Sequence, residues 1–326
     1  MQGKEASEQE TKAKSTVGID VSKDWLDIHV LPQGESLRVP NGCEGIRRLK
    51  RWLSRFDIGL VVVEAIGKWH RQVQRSLVAS GIPTAVVDPF RVRMFAKAQG
   101  IFAKTDRLDA RVLAQFAAVM APSMRPPPPQ VMQELAELVV ARSSAVEAQT
   151  ALKNQLAAAE GKFLKRQLVR WIARAAKDIA VLEGEILKRI KADETLAKRY
   201  AILTSIPSFG FVVAATLIAC LAEIGSTSAK QIGMLAGLAP IADQSGQRDG
   251  TRVIWGGRAR VRRILYLAAV TATRVNADMK AFYHRLIESG KPAKVALIAV
   301  ARKLVVLANT LINEDRNWGP QAPKHA

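Results

Sequence analysis

Apolar positions change period several times along the chain, and each change marks an element. Thr16-Val-Gly-Ile-Asp20-Val is a short apolar run of the kind a buried strand carries. Trp25-Leu-Asp-Ile-His-Val30 alternates apolar and polar residues with the two-residue period of a second strand, and Ser36 to Pro40 offers a third. A helical stretch from Glu44 to Phe56, the strongly apolar strand Leu60-Val-Val-Val-Glu64, a helix from Lys68 to Ser80 and a strand Thr84-Ala-Val-Val-Asp88 stopped by Pro89 come next. Strands first, then strand-helix alternation, predict a mixed α/β sheet covered by helices.

Met124-Arg-Pro-Pro-Pro-Pro129 cannot continue a helix and reads as a stiff extended linker, the best domain boundary in the chain. Beyond it Leu168, Trp171, Ile172, Ala175, Ile179, Leu182, Ile186 and Ile190 recur at spacings of three and four with Lys, Arg and Glu between them. That pattern predicts a long amphipathic helix over 164–191. It suits a coiled-coil hairpin or dimerisation arm and, equally, a helix packed within its own domain. From Ala201 the chain is again mostly helical, broken by Ile206-Pro-Ser-Phe-Gly210 and by a loop from Pro240 to Gly257, with a last helix from Ala293 to Ile312. The resulting division is a polar tail (1–14), an α/β domain (15–122), the linker and helical arm (123–195), a second domain (196–313) and a C-terminal tail (314–326). No internal repeat is visible.

Composition sharpens this picture. With 326 residues, 48% hydrophobic and 24% charged, the chain can bury a sizeable core, which excludes disorder and collagen. Its 49 Lys and Arg against 29 Asp and Glu give a formal charge of +20, far outside what solubility requires, and point to a polyanionic partner. The excess is global, +6 over residues 1–122, +5 over 123–200 and +9 over 201–313, unlike a basic tail on a neutral enzyme. Cys43 and Cys220 stand far apart and His29, His70, His284 and His325 lack ligand spacing, so a zinc site and a disulfide framework are both disfavoured. The start of the chain is polar rather than signal-like, and the longest apolar run, Phe211 to Ala222, is too short for a bilayer; a cytoplasmic location is expected.

Four acids stand out. Asp20 and Glu64 end apolar strands, where a sheet presents side chains to solvent, and Asp106 and Asp109 lie three apart in Lys104-Thr-Asp-Arg-Leu-Asp-Ala-Arg111, on one face of a helix. Each alone reads as a cap or turn residue. Together they offer the hard oxygen ligands that Mg2+ prefers, and such ions serve phosphoryl transfer. Gly18-Ile-Asp20-Val-Ser-Lys23, Val62-Val-Glu64-Ala-Ile-Gly67 and Lys104-Thr-Asp106-Arg-Leu-Asp109-Ala-Arg111 resemble the RuvC-like four-carboxylate domain of a family of bacterial insertion-sequence transposases, the bridge-RNA-guided recombinases with a catalytic serine. The resemblance implies an RNase H-like fold for residues 15–122, with Asp20, Glu64, Asp106 and Asp109 as catalytic Mg2+ ligands. Asp88 stands where that family carries Asn and reads as a strand-end turn.

The second half resembles the same family independently. Ile206-Pro-Ser-Phe-Gly210 is similar to a helix-hairpin-helix turn, with Ser208 in place of the usual glycine. Leu235-Ala-Gly-Leu-Ala-Pro240, Asp243-Gln-Ser245-Gly246 and Trp255-Gly-Gly-Arg258-Ala-Arg-Val-Arg-Arg263-Ile-Leu-Tyr266 resemble the mainly α transposase domain, and the resemblance makes Ser245 the nucleophile. Arg248, Arg252, Arg258, Arg260, Arg262 and Arg263 follow it; arginines neutralise charge growing on phosphorus, and equally form solvated faces or bind nucleic-acid backbones. No histidine lies nearby as a base. The family therefore implies a transposase that exchanges DNA strands through a phosphoserine, assisted by Mg2+, guided by a bridge RNA paired with donor and target DNA, acting as a homo-oligomer near the nucleoid. Two rival readings are a metal-dependent junction endonuclease and a non-enzymatic RNA-binding protein with a degenerate nuclease fold.

Overall fold

The structure, a computed structural model, describes residues 14–103, 106–242, 244–245, 248–250 and 252–319, with backbone alone at 106–108, 244–245 and 248–249. It divides into two units, residues 1–128 and 129–326.

In the first unit β1 (Ser15–Val21), β2 (Trp25–Leu31), β3 (Glu35–Pro40), β4 (Ile58–Glu64) and β5 (Thr84–Val87) form one sheet in the order β3-β2-β1-β4-β5. The first three strands are antiparallel neighbours, whereas β1–β4 and β4–β5 are parallel. Alternation sorts each strand between two cores. Val17, Ile19 and Val21 of β1, with Val61 and Val63 of β4, face α1 (Cys43–Leu53) and α2 (His70–Ala79) through Ile46, Leu49, Val73 and Leu77. The opposite face, with Val62, Ala85 and Val87, meets α3 (Pro89–Ala98) and α4 (Asp106–Met120) through Val92, Val112, Leu113 and Phe116. The mixed α/β sheet expected from the pattern is present. Asp88 is the N-cap of α3, its carboxylate accepting from the Phe90 amide at 2.8 Å, so the strand-end turn predicted there is a helix start.

Among the described residues the second unit is built of helices with four two-residue strands. α5 (Gln130–Ala158) and α6 (Lys162–Ala192) pack against each other along their length as a hairpin. α7 (Glu194–Thr204), α8 (Phe211–Cys220), α9 (Ala229–Leu235), α10 (Ala259–Val275), α11 (Ala277–Glu288) and α12 (Ala293–Asn313) follow. Leu168, Ile186 and Ile190 of the amphipathic stripe are buried inside this chain, while Trp171, read as part of that stripe, is 51% exposed. Leu135, Val139, Ile186 and Ile190 belong to the same core as α7 to α12, so the base of the arm is built into that core. By length and composition α12 could cross a membrane. Val300, Leu304, Val305, Ala308 and Leu311 are instead wholly buried in that core, as in the central helix of a globular unit.

Candidate active site

The acid constellation is set by one close approach. Gly18 sits on the α4-facing side of β1, and a Cβ there would lie 2.1 Å from the Ala110 carbonyl oxygen and 2.3 Å from the Ala114 nitrogen. Only glycine lets the strand and helix backbones meet this closely. Thr16 Oγ1 donates to the Ala114 carbonyl at 3.1 Å on the same side. Thr16 thus meets Ala114 and Gly18 meets Ala110, so strand and helix run in opposite directions. The next residue on that face, Asp20, advances toward the N-terminal turn that carries Asp106 and Asp109. Asp20 Oδ1 accepts from the Val21 amide at 3.0 Å.

Glu64 follows Val63, the register partner of Ile19, just as Asp20 follows Ile19; the two acids end adjacent parallel strands on the same face. Asp109 lies one turn before Val112 and Leu113, which pack on that face. Asp20, Glu64 and Asp109 are therefore presented at one edge of the sheet. The side chain of Asp106 lies outside the described residues, and among the described residues no three ligand-type side chains stand close enough to hold one ion. The oxygen donor set itself suits a hard divalent cation.

Motif reasoning from the sequence missed Asp27. It stands directly opposite Asp20 in the β1–β2 register, is buried, and lies 3.7 Å from the Arg38 guanidinium. Its signal was present: the alternation of residues 25–30 puts Asp27 on the polar face, and hairpin pairing carries it to Asp20.

In the second unit the loop from Pro240 is a nested ribbon. β6 (Pro240–Ile241) pairs with β9 (Val253–Ile254), and inside them β7 (Gln244–Ser245) pairs with β8 (Arg248–Asp249). Ser245 is opposite Arg248, the last pair of the inner strands; both side chains lie outside the described residues. The ribbon base is drawn shut by glycines, since a Cβ on Gly257, at φ +62°, would sit 2.3 Å from the Gly237 nitrogen. The Arg258 amide then bonds the Leu235 carbonyl at 2.8 Å, and Arg258 begins α10.

The six arginines divide by partner. Arg258 forks onto Glu223 at 2.6 and 2.7 Å, a bidentate pair that fixes the start of α10. Arg262 donates to the Gly256 carbonyl at 2.8 Å, and Arg263 pairs with Glu147 on α5 at 2.7 Å. Arg252 is exposed. Arg260 keeps Nη1 buried without a hydrogen-bond partner among the described residues. Arg258 and Arg260 also stand near the Cys220 thiol, whose pKa is raised by burial and only partly pulled back by these cations. Nothing in the local sequence announces Glu223 or Glu147, because both reach their partners from distant elements.

At the Ile206–Gly210 turn, Ser208 has φ +89°, the region where glycine is at ease, and its Oγ is buried without a partner among the described residues. The substitution of serine for glycine noted in the sequence thus carries a local cost.

A family model described as transposase, for the DEDD proteins of IS110, matches residues 17–159. A second, described as transposase of the IS116/IS110/IS902 family, matches residues 200–284. The chain is 25% identical over 315 residues to a pilin gene-inverting protein of Moraxella bovis, covering 93% of this chain and 97% of that protein. It is 30% identical over 157 residues to an uncharacterized 42 kDa protein of insertion element IS900 from Mycobacterium paratuberculosis, covering 46% of this chain and 39% of that protein.

Proposed function

The chain belongs to the IS116/IS110/IS902 family of transposases and is a DNA recombinase, and from that premise we propose that it cuts and rejoins DNA through Ser245. The observation that carries the proposal is the setting of Ser245 beside Arg248 on a ribbon whose base leads directly into the arginine-bearing start of α10. A hydroxyl attacking a phosphodiester needs a proton acceptor and cations for the charge that grows on phosphorus. Arg248, the register partner of Ser245, is the cation assigned to that charge, while Arg258, Arg262 and Arg263 hold the scaffold.

In this scheme Ser245 Oγ loses its proton and bonds to phosphorus as the bond to one DNA oxygen breaks, and that oxygen takes up a proton. A hydroxyl of the exchanged strand then attacks the phosphoserine and restores the serine, so phosphodiester energy is conserved and no water is consumed. The relative named for gene inversion fits a reaction that rejoins what it cuts. Asp20, Glu64, Asp106 and Asp109 form the RuvC-like half of the machinery on an RNase H-like sheet. A divalent cation is the cofactor of that domain type; we assign it as Mg2+, which would neutralise the carboxylates and engage phosphate oxygens. A bridge RNA selecting donor and target, assembly as a homo-oligomer and a cytoplasmic, nucleoid-associated location complete the reading.

The decisive experiment uses labelled DNA nicked to prevent religation. The wild-type protein should give a covalent adduct on denaturing electrophoresis, and Ser245→Ala should lose the adduct and recombination while retaining nucleic-acid binding. Free DNA ends without adduct, and cleavage that survives Ser245→Ala, would replace the serine mechanism with hydrolysis by a metal-dependent junction endonuclease.

A further inference from the structure

The α5–α6 hairpin is electrostatically split along its length. Its base is laced by ion pairs: Arg142 to Glu183 at 2.7 Å, and Arg189 to both Glu134 and Glu185. Its distal half is not. Between Lys153 and Arg174 the chain carries six cations and one acid, Glu160. Only Arg174 is paired, with Asp178 at 3.1 Å; Lys153, Lys162, Lys165, Arg166 and Arg170 have no carboxylate partner among the described residues, and all are exposed.

On α6 these cations share a face. Lys162, Arg166, Arg170 and Arg174 follow one another at four-residue steps on the side opposite the buried Leu168 and the α5-facing stripe, and Lys165, one turn from Lys162, borders that face. The row spans about 18 Å of helix axis, the axial length of roughly five phosphates of one duplex strand. Phe163, 68% exposed, projects from the same arc, three residues before Arg166, and the 51% exposed Trp171 flanks it. Like charges of this density oppose pairing of the face with its own copy, whereas a polyanion fits it. Exposed rings among cations suit unpaired bases, because a duplex keeps its base faces stacked inside.

We propose that the distal half of the hairpin is a docking surface for single-stranded DNA, the cations tracking the phosphates and Phe163 and Trp171 stacking bases of a strand displaced during exchange. The proposal rests on the DNA-recombinase reading but not on Ser245 as nucleophile. It assigns to the arm a task distinct from chemistry: holding a strand while it lacks its complement.

The test is fluorescence anisotropy of the full-length protein with a single-stranded DNA of about 20 nucleotides, the matching duplex, and single-stranded RNA of the same sequence. The Lys165→Glu, Arg166→Glu, Arg170→Glu variant should bind single-stranded DNA at least tenfold more weakly and lower its log-log salt slope by about 2, at roughly 0.7 for each phosphate no longer neutralised. The Phe163→Ala, Trp171→Ala variant should weaken single-stranded DNA binding about tenfold and leave the duplex nearly unchanged. All these side chains are exposed, so circular dichroism and thermal midpoints should match the wild type. Unchanged affinity for single-stranded DNA in the charge variant would overturn the proposal, and so would a loss confined to RNA or an aromatic effect equal on duplex and single strand. Covalent adduct formation by the same variants at saturating DNA reports separately on Ser245: weakened arm binding with adduct retained supports the arm's role, while absence of adduct in the wild type counts against the serine mechanism alone.

Discussion

His70 opens α2 with its Nδ1 buried and without a partner among the described residues. Burial lowers its pKa below 6.5, Arg71 adds to the lowering, and the Ile66 backbone partly offsets both. His29 is lowered too, first by burial and then by Arg111. Well above pH 6.5 these histidines are neutral whether the chain is folded or not, and as the pH falls through 6.5 the unfolded chain binds protons that the folded histidines take up less readily. Stability therefore falls as pH drops from 6.5 toward the lower folded-state values. Urea midpoints at about pH 7.5 and about pH 5.5 should show this loss, and it should shrink in His70→Gln. Single residues were unevenly legible in the sequence. Asp20 and Glu64 were readable because they end apolar strands, whereas the tie of Arg258 to Glu223 spans 35 positions and has no local signature.

At the scale of elements, the β1–α4 contact is the joint on which the acid edge depends. Gly18→Ala places a methyl against backbone atoms of Ala110 and Ala114, which cannot rotate aside as a side chain would. The substitution should cost roughly 3 kcal/mol or more in denaturant titration and should lower recombination, by moving Asp20 away from α4. Gly42→Ala, where a Cβ would meet nothing within 4 Å, should change stability by less than about 1 kcal/mol and serves as the control. Strands and the α6 stripe were legible because one face of each is strongly apolar. The helix α5 was not, since only Leu135 and Val139 of its 29 residues are buried and no sustained stripe develops. The short α3 was hidden behind Pro89, which reads as a stop but here occupies the first helical position, where a missing amide hydrogen costs nothing.

At the scale of the whole molecule, each unit carries its own core and its own candidate chemistry, carboxylates in the first and Ser245 in the second. Four consecutive prolines, Pro126–Pro129, cannot be helical, and the two units divide within them. The first family match, however, runs through that boundary and ends at Ala159, the turn of the hairpin, while the second begins at Tyr200. One leg of the hairpin thus falls inside the match that holds the carboxylates, although Arg142–Glu183, Arg189–Glu134 and the shared core commit it to the other leg. Chimeras with relatives test where the heritable joint lies. Exchange at the prolines should give soluble, cooperatively unfolding proteins, whereas exchange at residue 160 should mismatch the two legs and show a lowered or broadened thermal transition. On that expectation the permissible crossover for module shuffling is the stiff proline spacer, and the two halves of the hairpin would travel, and drift, as a pair.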